Sequence, residues 1–162
     1  MTRARLVALG VAVLSALALA AAWYSERVLG LVPCAFCLLE RWPYRVAIAL
    51  GLLAALLPRA SAGVARALLI LVLLAGAGLG LTHVGVEQAW WPDPLPECRA
   101  PTFHGGSIAE RLAAMPARPA KPCDAPTYLV PGLPLSMAGM DLVLALALAA
   151  LVAISWPRRR IA

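Results

Sequence analysis

The chain alternates between long uncharged runs and short stretches that hold nearly all of its charge. Residues 6–24 carry no charged side chain, nor do residues 67–86 or 142–156, and the last run extends back past Asp141 to about residue 135. Each approaches the roughly 20 apolar residues that one helical crossing of a bilayer needs. A fourth run, 46–57, is too short alone, so its helix has to start near Cys37 and take in Glu40, Arg41 and Arg45. The pattern predicts an all-α integral membrane protein. It is a bundle of four transmembrane helices, about 6–24, 37–57, 67–86 and 135–156, with one long loop over about 87–134. The whole forms a single membrane domain.

Prolines punctuate this plan. Pro33 stands just before Cys34, a place where proline suits the first turn of a helix. Pro43 is expected to kink or restart the second helix, and Pro58 to end it. Residues 60–64, with Ser61 and Gly63, read as a tight turn. Trp90 and Trp91 follow the third run, where aromatic belts sit, and Trp23 and Trp156 mark other helix ends. The long loop holds ten prolines from Pro92 to Pro134, too many for much regular structure. One segment differs. Ser107-Ile108-Ala109-Glu110 fits a capping box, with Ile108, Leu112 and Met115 on one face behind it. It predicts a short helix on the membrane surface.

Composition agrees: of 162 residues, 62% are hydrophobic and 14% charged, too few charges for the polar shell of a soluble domain of this size. Charge adds orientation. Arg3, Arg5, Arg59, Arg66, Arg158, Arg159 and Arg160 flank the runs on one side with no acidic neighbour, while all eight acidic residues fall on the other side or at its membrane edge. The positive-inside rule places both termini in the cytoplasm. The net charge of +6 is thereby a topology signal, and with no basic stripe interleaved with aromatics it is no nucleic-acid footprint. Residues 1–23, with a basic tip and Ala20-Ala21-Ala22, also fit a cleaved signal peptide, although the apolar stretch is long for one. An uncleaved first helix is the expectation.

This orientation puts all four cysteines on the outer, oxidising side, where disulfides persist. Cys34 and Cys37 form a C-x-x-C pair at a helix start, where the backbone dipole favours a thiolate. Arg41 follows one turn after Cys37 and Arg45 one turn later. A guanidinium there lowers a thiol pKa, and it can hydrogen-bond a quinone carbonyl and stabilise the anion formed as electrons arrive. The plainer reading is an arginine reaching for headgroups beside inert cysteines. Cys98 and Cys123, with 24 residues between them, either staple a loop that has no core or exchange with a partner. Their proline-flanked, charged contexts read as exposed, which favours exchange. A zinc site built from the four cysteines, or with His104 replacing one, is the third alternative. His83 lies near the outer end of the third run with Glu87 one turn beyond. It can donate a proton to a reduced quinone or be a satisfied interfacial histidine. Asp141 can pair with Arg41 or Arg45, or face the interface.

The segment Pro33-Cys34-Ala35-Phe36-Cys37-Leu38-Leu39-Glu40-Arg41-Trp42-Pro43-Tyr44 resembles the disulfide bond formation protein B family, DsbB. The resemblance covers essentially the whole chain: four helices, C-x-x-C followed by Glu-Arg, a second cysteine pair in the long loop, and Leu135-Ser136-Met137-Ala138-Gly139 opening the last helix. The C-x-x-C precedes the loop pair, the reverse of the vitamin K epoxide reductase relatives.

The resemblance implies a multi-pass protein of a bacterial inner membrane with its cysteines facing the periplasm. It implies a thioredoxin-fold, DsbA-like thiol oxidase as partner and the membrane quinone pool, ubiquinone or menaquinone, as electron acceptor. The partner's thiolate attacks Cys98 of a Cys98–Cys123 disulfide. Electrons pass to Cys34–Cys37 through a Cys34–Cys123 bridge, and Cys37 reduces a quinone held by Arg41, with Arg45 and His83 nearby. DsbA stands near −120 mV and structural disulfides below about −300 mV, a gap of on the order of 8 kcal/mol for two electrons. The relay then needs oxidising disulfides, the pull of quinone reduction, or both. The rival from another class is a non-enzymatic membrane protein with loop staples.

Overall fold

The computed structural model describes residues 2–98, 106–113, 121–130 and 132–156. His104, Met115, Arg158, Arg159 and Arg160 lie outside them, as does the side chain of Arg59. The regular elements among the described residues are all helices, with no strand. They form α1 (Arg3–Arg27), α2 (Ala35–Leu39), α3 (Arg41–Leu56), α4 (Arg59–Glu87), α5 (Ile108–Ala113) and α6 (Met137–Ile154), with a 3₁₀ turn at Pro96–Cys98 between α4 and α5. Helix α1 packs on α3, α3 on α4 and α4 on α6, and a lighter contact between α6 and α1 closes the bundle.

Three helical stretches are long and apolar enough to cross a membrane: Arg3–Arg27, Ser61–Glu87 and Met137–Ile154. Their outward faces are apolar too, with Leu17, Leu71, Val143 and Leu151 substantially exposed. A bundle this apolar outside has lipid as its solvent. The core of the bundle is Val11, Tyr44, Ala47, Leu69, Leu73, Leu148, Ala149 and Val152. A Cβ on Gly51 would sit 2.8 Å from the Ala8 carbonyl oxygen, and one on Gly80 would sit 3.2 Å from the backbone of Leu142. Both glycines let helix backbones approach closely, the device that holds helices together where lipid removes the hydrophobic drive.

The second apolar run differs from the sequence reading. It is not one helix over 37–57. Helix α2 begins at Ala35, three residues after Val32 and directly after Cys34, and the chain breaks at Glu40 before α3 begins. Glu40 keeps right-handed helical angles, so the segment bends and continues. Pro43 explains the placement: it falls in the first turn of α3, where its missing N–H has no intrahelical acceptor to lose. Alone, α3 is 16 residues, about 24 Å of helix. With α2 the segment 35–56 reaches about 33 Å.

The expected turn at 60–64 is helical as well. Helix α4 starts at Arg59, directly after an extended Pro58, and the reversal is confined to Leu57 and Pro58. Ala62 and Ala65 are buried there, so packing outweighs the turn preference of Ser61 and Gly63. Arg5 donates to the Leu57 carbonyl oxygen at 3.1 Å, tying the start of α1 to the end of α3. Helix α5 forms as its capping box requires: Ser107 N donates to Glu110 Oε2 at 2.7 Å, and Glu110 N donates to Ser107 Oγ at 3.3 Å. Ile108 and Leu112 on it are exposed.

Candidate functional site

All four cysteines meet at one end of the bundle. Cys34 is the N-cap of α2, and its Sγ accepts from Cys37 N at 3.2 Å. The two sulfurs are 2.9 Å apart, so a disulfide of about 2.05 Å needs under an ångström of approach. The hydrogen bond with the Cys37 thiol holds the Cys34 thiol below its ordinary pKa, against the opposing effect of burial. Cys98 and Cys123 are joined as a disulfide. They are not exposed, as their flanking residues suggested. Both are buried in one apolar cluster with Cys34, Phe36 and Val86, with Leu95 and Cys37 packed against it. The reason is that the loop folds back: the 3₁₀ turn at Pro96–Cys98 lies on α2.

His83 comes to this cluster from α4. Its Nε2 lies 3.4 Å from Cys34 Sγ and its Nδ1 lies 2.9 Å from Glu40 Oε1. Phe36 stacks on the imidazole at 5.1 Å between centroids. Glu87, one turn on, reaches to 4.0 Å from Nε2. Its other oxygen accepts from Ser136 Oγ at 2.5 Å, and Ser136 caps α6 by accepting from Gly139 N at 3.1 Å. The polar groups thus run from α2 through α4 to α6.

On the far side of Cys37 is a cavity of about 210 Å³ between α1, α3 and α6. Ala18, Leu19, Ala22, Met137, Met140 and Leu144 make its walls apolar. Cys37, Glu40, Arg41, Tyr44, Glu26 and Asp141 supply its polar groups. Arg41 Nη2 donates to Glu26 Oε2 at 2.9 Å. Asp141 therefore does not pair with Arg41. Its backbone oxygen accepts from Tyr44 Oη at 3.3 Å. Arg41 Nε and Asp141 Oδ2 are buried with no hydrogen-bond partner among the described residues. Arg45 and His83 do not line the cavity. Arg45 lies over the Trp42 ring at 4.9 Å instead.

As a metal site, Cys34, Cys37 and His83 offer ligand atoms within 4.8 Å of one another. A four-cysteine set is closed off by the Cys98–Cys123 bond, because a disulfide sulfur is no thiolate. Glu40 and Glu26 were missed as site residues. The Glu-Arg step after the C-x-x-C marks Glu40, but His83 lies 43 residues further on, and nothing local connects them. Glu26 stands among residues at the end of the first helix with no signal beyond being an acid near a membrane edge.

No curated protein and no solved structure matches the chain. The family model described as disulfide bond formation protein DsbB matches residues 4–155, essentially the whole length. This chain belongs to the DsbB family, membrane proteins with a disulfide oxidoreductase role.

Proposed function

We propose that the protein reoxidises a periplasmic, thioredoxin-fold DsbA-like oxidase and passes the electrons to a membrane quinone. One observation carries the reading. The C-x-x-C pair stands between two things it would have to connect: Cys34 packs in the same cluster as Cys98 and Cys123, and Cys37 lines the cavity. In this reading the partner's thiolate attacks Cys98, Cys123 engages Cys34, and Cys37 faces the acceptor.

The cavity suits a quinone. A space of about 150 Å³ already admits a benzene ring, so about 210 Å³ takes a substituted one. Apolar walls fit the ring and tail, and Arg41 offers an N–H without a partner among the described residues for a carbonyl oxygen. When bound, a quinone accepts two electrons and two protons. Arg41 then orients and charges the oxygen end, held in place by Glu26, and the hydrocarbon walls exclude water. Arg45 and His83 act from outside this cavity, Arg45 through its stacking on Trp42 and His83 through Cys34.

The membrane plan follows the charges. We take the segment 35–56 as a fourth crossing, both termini as cytoplasmic and the cysteines as periplasmic. The bacterial inner membrane is the matching location, and α5 rests on its outer face through Ile108 and Leu112.

The test is the thiol state of the four cysteines in the purified protein. After addition of a reduced DsbA-like partner, free thiols should accumulate without quinone and disappear when quinone is added. Cysteines that stay oxidised with partner and ignore quinone would make the buried Cys98–Cys123 bond a staple and remove the enzymatic reading.

A further inference from the structure

Oxidising a Cys34/Cys37 dithiol releases two protons, and the cavity wall accounts for one of the two sulfurs. Cys37 lines the cavity, while Cys34 is buried and does not. Besides the Cys37 sulfur at 2.9 Å, Cys34 Sγ meets His83 Nε2, at 3.4 Å. The ring's other nitrogen meets Glu40 at 2.9 Å, and Glu40 is itself a cavity residue beside Cys37 and Arg41. A carboxylate has no proton to donate, so Nδ1 carries the ring proton and Nε2 turns a lone pair to the Cys34 thiol. Phe36 on the ring face keeps it in this plane. Glu87, the other carboxylate near the ring, has its second oxygen committed to Ser136 and does not line the cavity. Glu40 alone among these groups touches both the histidine and the cavity.

We propose that His83 and Glu40 carry the Cys34 proton to the cavity, an inference that rests on the quinone reading. The Cys34 S–H bond breaks as Nε2 takes the proton. The Nδ1–H bond breaks as Glu40 takes that one, and the Glu40 O–H bond breaks as its proton passes to a quinone oxygen. Cys37 delivers its own proton directly. The sulfurs join as the Cys34–Cys37 disulfide, and one electron pair with two protons converts the quinone to a hydroquinone. At the next reduction the ring is reset through the same neighbours: Nε2 returns its proton to the Cys34 thiolate, and Glu40, having taken a proton from the cavity, returns one to Nδ1. Glu40 would be a catalytic residue, in contact with the acceptor.

The experiment is a single turnover of the full-length protein in detergent, with reduced Cys34 and Cys37, mixed with a saturating short-chain benzoquinone and followed by hydroquinone absorbance. Glu40→Gln keeps the shape and an acceptor for Nδ1–H but takes up no proton. It should slow hydroquinone formation on the order of 100-fold, the scale of general acid–base catalysis. The rate of partner exchange at Cys98 should be unchanged. Glu40→Asp should recover part of the rate, and the wild-type reaction should slow in heavy water. His83→Gln carries the same expectation should Glu40→Gln fail to fold. A Glu40→Gln protein that reduces quinone at the wild-type rate overturns the relay and leaves the acceptor intact. A wild-type protein that does not reduce the quinone overturns the acceptor, and the relay with it.

Discussion

Replacing Arg41 by alanine tests the link between the C-x-x-C and the cavity most directly. Two changes follow from the structure. The guanidinium at the cavity wall is lost, and Glu26 loses its partner at 2.9 Å. The pair is mostly buried, so removing Arg41 leaves the Glu26 charge uncompensated in the cavity wall. The larger effect falls on the acceptor. A charge-assisted hydrogen bond is worth roughly 1.5–3 kcal/mol, so the apparent Michaelis constant for quinone should rise about 10- to 150-fold. Arg41→Lys keeps charge without the planar fork and should fall between. Adding Glu26→Gln to Arg41→Ala should recover part of the loss, because it removes the uncompensated carboxylate from the cavity wall. Steady-state rates with quinone and partner varied separately decide the matter, since the constant for the partner should stay near normal. An Arg41→Ala protein with unchanged quinone dependence would show that Arg41 anchors to headgroups and does nothing for the acceptor.

Other expectations are as direct. Cys98→Ser should abolish capture of a DsbA-like partner lacking its resolving cysteine, while Cys37→Ser should retain it; equal capture through Cys123 would move the attacked sulfur. A reporter fused after Ala162 should behave as cytoplasmic, and periplasmic activity there would reverse the orientation. Ser136→Ala removes both the α6 cap and the partner of a buried Glu87 carboxylate. It should cost about 2–4 kcal/mol, read as a lower melting temperature in detergent, and an unchanged melt would show that neither bond contributes.

What the sequence made legible was what repeats or sits close together. Uncharged runs mark α1, α4 and α6, and the spacing of Cys34, Cys37 and Arg41 survives as a shared cavity edge for the latter two. The capping box at Ser107 is local and forms as read. What it hid depends on packing. The start of α4 at Arg59 rests on buried Ala62 and Ala65, which outweigh the turn residues around them. The Glu40–His83 contact exists because α3 and α4 lie side by side, and Glu26 displaces Asp141 as the partner of Arg41 because α1 ends beside α3. A cavity between three helices has no signature along any one of them. The loop disulfide misled for the same reason: its neighbours in sequence are polar, and its neighbours in space are Phe36 and Val86.

That burial bears on which thiols can spend the oxidising power of this protein. Exchange is an attack in line with the sulfur–sulfur bond, so its rate depends on whether a thiolate can reach one. Cys98 is 6% exposed and Cys123 1%. A small thiol diffusing past meets almost none of either sulfur. A protein that grips the loop and lifts the turn at Pro96–Cys98 from α2 uncovers the sulfur by the act of binding. On the proposed function, selection among reductants would then be set by mechanical access before redox potential enters.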